Sequence, residues 1–317
     1  MRDLYGHLPY NSFTRHLKET FGCRVYKISV DAGFTCPTRD GSKGTEGCLY
    51  CDEEGSRAAY CDPEKSIPEQ VSEGIAFVKR RYNAEKFIAY FQPYTNTYAP
   101  VATLKSLYDQ ALDHENIIGL SIGTRPDCVD EAVLDLLSTY NDHYYMWIEY
   151  GLQSACNKTL EWLNRGHDVK SFVRAVELTQ KRSIRICAHV ILGLPHESGE
   201  EMFRSADLLS ALGVDGVKIH SLYIARNAPI AQCYNRGEIE LLTLDQYVDT
   251  VIAYLERLKP EILIHRVTGE APAAKMIAPE WARNKLHVIN LIGKRMREKG
   301  IYQGKQYKEQ IDEKESS

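Results

Sequence analysis

The chain has 317 residues, of which 44% are hydrophobic and 26% are charged, and its formal net charge is −4. This composition is typical of a soluble globular protein and excludes a generally basic nucleic-acid coat protein, while a local basic face remains possible. The sequence has no apolar signal segment and no apolar run of the roughly 18 residues that a membrane helix needs. We therefore expect a cytoplasmic protein with no membrane partner.

Strands and helices are predicted to alternate along the chain. Residues 1–24 are predicted to form an N-terminal extension packed on the domain, although their aromatic side chains could instead stack on RNA. Alternating or β-branched segments predict strands at 25–31, 87–92, 117–123, 146–152, 185–194, 216–224 and 262–268. Capping residues and helical spacing predict helices at 66–82 and 100–113, from 129, up to 164, from 169, from 198, from 243 and at 279–299.

This alternation predicts an α/β fold with a parallel sheet. Six or seven such units without low-complexity linkers fit a partial or near-complete TIM-type (β/α) barrel at 25–269, followed by a C-terminal helical region and flexible tail at 270–317. Functional residues of such a barrel lie at the carboxyl ends of its strands. Polar or glycine-rich clusters follow the predicted strands at 36–51, 92–97, 123–127, 153–154, 193–195 and 221–223.

The first of these clusters contains three of the nine cysteines, Cys36, Cys48 and Cys51, with the spacing C-x11-C-x2-C. An odd number of cysteines without a secretory signal favours a metal or redox role over disulfides. Thiolates hold both iron–sulfur clusters and zinc. Three thiolates leave one iron of a four-iron cubane open, whereas structural zinc needs a fourth ligand that is not obvious nearby. An iron–sulfur cluster is therefore favoured, and zinc or unligated thiols are the alternatives.

Several segments after the strands resemble a known family. In chain order they are the aromatic residue before the last clustered cysteine (Tyr50), TRPD (124–127), GLQS (151–154), NRGH (164–167) and GLP (193–195). Together they resemble the radical S-adenosylmethionine (SAM) superfamily, in particular its Elongator catalytic-subunit branch and the YhcC/YtqA-type proteins, without an acetyltransferase domain. The cysteine spacing is wider than the usual C-x3-C-x2-C, and Gly123 replaces the glutamate that precedes TRPD in the Elongator-type enzymes.

The resemblance implies a [4Fe–4S] cluster bound by the three clustered cysteines, with SAM chelated to the open iron. Reductive cleavage of SAM, with a flavodoxin- or ferredoxin-type electron donor, would yield a 5′-deoxyadenosyl radical that abstracts hydrogen from the substrate. The implied cofactor-binding residues are Tyr50 and Gly193 near adenine, Gln153 and His189 near the ribose, Thr95, Asn96 and Thr97 near the amino group, Arg165 at the carboxylate, and Arg125 in the TRPD segment. Packing or turn roles are the alternatives for Tyr50, His189 and the threonines, and a helix-end cation is the alternative for Arg165.

Polar residues of the later strands are the candidates for substrate chemistry. A carboxylate buried in a strand is costly without a partner, so Glu149 is predicted to be functional or ion-paired. By strand position, Lys218, His220, Arg266 and Glu270 are predicted to face the substrate. The YtqA-type resemblance implies a tRNA substrate, whose wobble uridine would be remodelled at C5 from carboxymethylaminomethyl toward aminomethyl.

A tRNA substrate would require cations for its phosphates. Basic residues are concentrated at 79–81, 181–185 and 294–308, although each of these runs is also compatible with an ordinary solvated helix face. Two other functions remain open at this point. One is a radical SAM enzyme that acts on a small molecule or peptide, and the other is a non-enzymatic zinc or iron–sulfur protein.

Overall fold

The computed structural model describes residues 8–52, 57–58, 60–269 and 274–307, so Glu270 and the tail beyond 307 lie outside the described part. The strands are β1 (Val25–Val30), β2 (Lys86–Phe91), β3 (Ile117–Thr124), β4 (Tyr145–Gln153), β5 (Arg185–Leu192), β6 (Gly216–Ser221), β7 (Ile224–Ala225), β8 (Leu263–Arg266) and β9 (Met276–Ala278). The helices are α1 (Phe13–Phe21), α2 (Ile67–Tyr82), α3 (Val101–Leu112), α4 (Glu131–Asn141), α5 (Asn157–Trp162), α6 (Val169–Gln180), α7 (Gly199–Leu212), α8 (Ile230–Asn235), α9 (Leu244–Arg257) and α10 (Lys285–Glu298).

Seven strands form one parallel sheet in the order β1–β2–β3–β4–β5–β6–β8. The helices between them pack on its outer face, where most of the large apolar core lies. Three of these helices begin with the predicted capping boxes, formed by Ser66 and Glu69, Ser198 and Glu201, and Thr243 and Gln246. The predicted partial TIM-type (β/α) barrel is therefore confirmed. None of the described helices combines the length and the apolar character needed to cross a bilayer.

The N-terminal segment closes one end of the barrel. The Ile264 N–H in β8 donates to the Asn11 carbonyl at 2.7 Å, which anchors the residues before α1. The Phe13 ring of α1 then stacks on His265, with ring centroids 3.8 Å apart, and meets Trp147 edge-on. Ile264 and Trp147 lie in the amino-terminal halves of β8 and β4, and His265 directly follows Ile264. The carboxyl ends of the strands therefore remain available for a site.

Side chains inside the barrel form layers, because alternate residues of a strand point to the same face. The layer at the amino-terminal end is mainly apolar and includes Val25, Ile88, Trp147 and Cys187. Two residues further along these strands the next layer is polar. Side-chain contacts connect its members, which are Lys27, Tyr90, Ser121, Glu149, His189 and Lys218. We call this second layer, together with Arg266 beside Lys218 on β8, the floor layer.

Two predicted boundaries were wrong. The strand predicted at 216–224 is broken after Ser221, and the short β7 leaves the main sheet to pair antiparallel with β9. The helix predicted at 279–299 begins only at Lys285, because a 3-10 turn at Glu280–Arg283 precedes it and Asn284 caps it. The sequence also gave no indication of α8 or β9, which form a small second unit beside the carboxyl ends of the strands.

Candidate active site

A cavity opens at the carboxyl ends of the parallel strands, and its empty space is about 1100 Å³ including the part open to solvent. Most of the predicted site residues line it: Cys36, Cys48, Tyr50, Cys51, Thr95, Arg125, Glu149, Gln153, Arg165, His189, Lys218, His220 and Arg266. The three clustered thiols are the only cysteines among its described lining residues. The structure therefore brings together residues from all seven strands of the sheet, or the segments that follow them, and from the segment after α5.

The cysteine loop is held in place by backbone contacts on both sides. The Cys51 N–H donates to the Cys48 carbonyl at 3.0 Å, which forms the turn between the last two thiols. The Leu49 N–H donates to the Leu163 carbonyl at 3.0 Å, and Asn164 Nδ2 donates to the Gly47 carbonyl at 2.7 Å. The loop is thus docked on the segment after α5, which also carries Arg165.

The three thiols differ in their electrostatic environment. Burial raises the pKa of Cys36, and it raises the pKa of Cys51 to about 12. Burial acts on Cys48 in the same direction, but Arg165, whose Nη1 donates to Sγ at 3.3 Å, outweighs it and holds the pKa of Cys48 below its usual value. Metal binding would deprotonate all three thiols, so soft ligands of this kind fit an iron–sulfur cluster or zinc.

Two arginines beside the thiols have unused donors. Arg165 Nε and Arg125 Nη1 are buried, and neither has a hydrogen-bond partner within the described residues. The other nitrogens of these two guanidinium groups already have partners. Arg125 donates two hydrogen bonds to Asp127 at 3.0 Å, and Arg165 Nη2 donates to the Gly151 carbonyl at 2.7 Å. Buried donors of this kind fit an anionic ligand, such as the carboxylate of SAM bound next to a cluster.

The end of β4 is shaped by an irregular backbone. Gln153 has a φ of 71°, a left-handed conformation that is uncommon for a non-glycine residue, and the register between β4 and β5 shifts at this point. A Cβ at Gly151 would lie 2.6 Å from Gln153 Nε2 and 2.9 Å from Arg165 Nη2. Glycine is therefore required at 151 for these two side chains to occupy their positions above the floor layer. Strained residues of this kind often occur at ligand sites.

Glu149 is the centre of the floor layer and is fully buried. It accepts hydrogen bonds from Lys27 Nζ, from Ser121 Oγ at 2.6 Å and from Lys218 Nζ at 2.8 Å, and His189 Nε2 lies 2.6 Å from it. Burial alone would raise the pKa of Glu149, but the two ammonium groups hold it well below its usual value. Burial lowers the pKa of Lys218 to about 8 and that of His189 to about 4. At neutral pH the layer thus contains an ionised carboxylate and a neutral imidazole.

Sequence reasoning missed part of this layer. Lys27 and Ser121 contact Glu149 directly, and the Tyr90 hydroxyl accepts a hydrogen bond from Lys218 Nζ at 3.0 Å. A lysine between apolar neighbours in an alternating strand is normally a solvent-facing residue, so the local pattern around Lys27 did not reveal its role. The available signal was the buried glutamate, which required cationic partners from other strands.

Three predicted cofactor-binding residues do not line the cavity. Asn96 Nδ2 donates to the carbonyls of Phe91 and Gly123, and Thr97 Oγ1 donates to the Cys128 carbonyl. Both side chains therefore connect the ends of β2 and β3. Gly193 borders a separate cavity, where its N–H contacts Met202 Sδ. The cofactor contacts expected for Asn96, Thr97 and Gly193 gain no support from these positions.

Comparison with known proteins identifies the family. Residues 41–209 match the Radical SAM superfamily, and residues 214–298 match the Radical SAM C-terminal domain. The chain is 38% identical to YtqA of Bacillus subtilis over 93% of this chain and 92% of that protein. It is 37% identical to YhcC of Escherichia coli over 92% of this chain and 93% of that protein. The fold is similar to that of the archaeal Elp3 of Methanocaldococcus infernus, with a TM-score of 0.67 and 17% identity over 88% of this chain and 64% of that one.

Members of this family use a [4Fe–4S] cluster and SAM. The three cavity-lining thiols and the unpaired arginine donors beside them fit these two cofactors. A [4Fe–4S] cluster therefore takes the place of the zinc ion that the cysteine spacing had left as an alternative. From the matched length, the ordered motifs and the barrel with its three-thiol cavity, we conclude that the chain belongs to the radical SAM superfamily.

Proposed function

We propose that this radical SAM enzyme modifies the C5 side chain of wobble uridine in tRNA, from carboxymethylaminomethyl toward aminomethyl. The proposal is carried by similarity to the tRNA uridine(34) acetyltransferase of Methanocaldococcus infernus, with 25% identity over 58% of this chain. The name of that relative specifies position 34 of tRNA as its target. The match covers 34% of that protein, so we carry over the target nucleoside and not the acetyl transfer.

The cavity opens at the carboxyl ends of the strands, where the side chain of a modified base would enter. When bound, the cluster and SAM supply a 5′-deoxyadenosyl radical that abstracts a hydrogen atom from the substrate. Cys36, Cys48 and Cys51 would hold the cluster, and Arg125 and Arg165 would hold the SAM carboxylate. Five residues of the floor layer line the same cavity and would contact the substrate, namely Tyr90, Glu149, His189, Lys218 and Arg266.

Two of the three basic runs that were candidates for binding tRNA phosphates lie away from the cavity. The run at 79–81 ends α2 just before β2, and the run at 181–185 lies between α6 and β5, so both lie at the end of the sheet opposite the cavity. In α10, Arg295 is paired with Asp245 and Asp249. Arg39 lines the cavity instead, and its guanidinium lies 5.8 Å from the centroid of the Tyr94 ring. A cation beside an aromatic ring suits an unstacked base and its phosphate.

The proposal is tested by the nucleosides of tRNA from a strain that lacks the protein. We expect carboxymethylaminomethyluridine to accumulate and its aminomethyl product to disappear, as measured by liquid chromatography and mass spectrometry. Complementation with Cys48→Ser should fail, whereas Cys233→Ser, which changes a half-buried thiol outside the cavity, should restore the wild-type profile. An unchanged wobble-uridine profile in the deletion strain would remove the tRNA assignment and favour a small-molecule or peptide substrate.

A further inference from the structure

The floor layer contains more positive than negative charge. Lys27, Lys218 and Arg266 are cationic, and Glu149 pairs with the two lysines but not with Arg266. Glu149 has little acceptor capacity left, because it already accepts from both lysines and from Ser121, and His189 Nε2 lies 2.6 Å from it. Arg266 is partly exposed on the wall of a cavity that opens to solvent, so an anionic ligand can reach its guanidinium group and provide the counter-charge.

Arg266 is the cation without a counter-charge. It lines the cavity and lies beside Lys218 in the pairing of β6 with β8. Across the described ranges, no hydrogen-bond acceptor and no ion-pair partner is assigned to its guanidinium group, whereas both lysines of the layer contact Glu149. His220, on the next inward-facing position of β6, adds a buried Nε2 that also has no partner.

SAM does not account for these unused groups. Its carboxylate is already matched by the unpaired donors of Arg125 and Arg165, which lie beside the thiols where SAM must bind the cluster. Arg266 and His220 belong to β8 and β6, on the part of the cavity wall that carries Lys218. The anion that they would receive must therefore come with the substrate.

We propose that Arg266 and His220 form a recognition site for a carboxylate carried by the substrate. A guanidinium fork pairs with a carboxylate through two parallel hydrogen bonds, and a third donor can come from His220 Nε2. The inference deepens the proposed function and rests on it for the source of this carboxylate, which would be the carboxymethylamino group of the modified uridine. A phosphate has related chemistry, and the experiment below separates the two.

The test is isothermal titration of the anaerobically reconstituted, SAM-loaded protein with N-acetylglycine, its neutral amide and inorganic phosphate. We expect N-acetylglycine to bind, and the amide and phosphate to bind at least about tenfold more weakly, because each lost charged hydrogen bond costs roughly 1.5–3 kcal/mol. Arg266→Gln should weaken N-acetylglycine binding by a similar factor. Arg174→Gln, which changes an exposed arginine on α6, should leave it unchanged.

Each remaining outcome also decides the inference. Binding that is absent in the wild type, equal for the amide, stronger for phosphate or unaffected by Arg266→Gln overturns it. If Arg266→Gln does not fold, as judged by circular dichroism, His220→Phe serves as the second variant and should weaken binding about threefold, because phenylalanine keeps a ring but has no hydrogen-bond donor. No tRNA is used, so this site and the wobble-uridine assignment can fail independently.

Discussion

Glu149 shows how one buried residue organises the bottom of the cavity. Its carboxylate is fully buried and accepts hydrogen bonds from Lys27, Ser121 and Lys218. The desolvation that would normally neutralise it is overcome by two ammonium groups, which keep its pKa low. The same contacts place Lys27 and Lys218 close to each other, so neither lysine would be stable in this layer without the carboxylate.

We therefore expect Glu149→Gln to destabilise the protein by about 3 kcal/mol, because it leaves the buried Lys218 and the part-buried Lys27 without a counter-charge. The matched control is Ser121→Ala, which removes one neutral donor from the same carboxylate and should cost only about 1 kcal/mol. The measurement is urea unfolding of the apoprotein at pH 7. A smaller loss for Glu149→Gln than for Ser121→Ala would contradict this account of the layer.

A second residue, Asp127, makes stability depend on pH. Burial would raise its pKa, but hydrogen bonds from Arg125 outweigh this effect and lower the pKa to about 2, below the 3.8 of an unperturbed aspartate. A carboxyl with a depressed folded-state pKa contributes stability above its unfolded pKa and loses it as the pH falls toward the folded value. The contribution of Asp127 should thus be complete above pH 4 and decline between pH 4 and pH 2.

Asp127→Asn should accordingly destabilise the apoprotein by on the order of 2 kcal/mol at pH 6. The difference from wild type should shrink as the pH is lowered from 4 to 3, since the wild-type carboxyl is then becoming protonated. Asp113→Asn, at the exposed end of α3, provides a control with a small difference throughout. A pH-independent difference for Asp127→Asn would show that charge is not the origin of the effect.

At the scale of elements, the regular strands were predictable and the irregular ones were not. The strand at 117–123 was recognised within one residue of β3, because it is long, apolar and bounded by polar segments. β7 has two residues and β9 has three, and about 50 residues separate them, so neither carries a periodic pattern. The cysteine spacing singled out the three thiols that line the cavity, and their role as cluster ligands stays a prediction. The position of Lys27 inside the barrel depends on how β1 pairs with β2, which no local pattern specifies.

Gly119 in β3 and Gly151 in β4 are expected to matter for different properties, the first for stability and the second for ligand binding. A Cβ at Gly119 in β3 would lie 2.6 Å from the Tyr145 backbone carbonyl, which cannot move without distorting β4. A Cβ at Gly151 in β4 would meet only the ends of two side chains, Gln153 and Arg165, which can shift. The first collision should damage the sheet, whereas the second should displace groups expected to hold SAM.

Gly119→Ala is expected to reduce the free energy of unfolding by about 2 kcal/mol through overpacking. Gly151→Ala should reduce it by less than about 1 kcal/mol but weaken SAM binding about tenfold, since one charged hydrogen bond would be lost. Urea unfolding and equilibrium dialysis of SAM with the reconstituted protein measure the two effects. Equal effects of both substitutions on stability, with unchanged SAM affinity, would refute the assignment of Gln153 and Arg165.

At the scale of the whole molecule, the cysteine loop connects parts of the chain that are far apart in sequence. Its Leu49 N–H donates to the Leu163 carbonyl, and its Leu49 carbonyl accepts from the Ile230 N–H of α8 at 2.8 Å. Leu49 and Tyr50 also pack on the apolar cluster that includes β7, α8 and part of β9. The candidate cluster site is thus in contact with the barrel, the segment after α5 and the second unit.

Cluster loading should therefore stabilise the entire fold, because a ligand that binds only the native state shifts unfolding by mass action. We expect the reconstituted wild type to contain about four irons and to melt at a higher temperature than the apoprotein. Cys36→Ser, Cys48→Ser and Cys51→Ser should each lose most of the iron together with the thermal shift, while Cys233→Ser keeps both. Iron determination and anaerobic calorimetry provide the measurements. Full iron content in any of the three single variants would mean that this thiol is not a ligand and that the cluster is held differently.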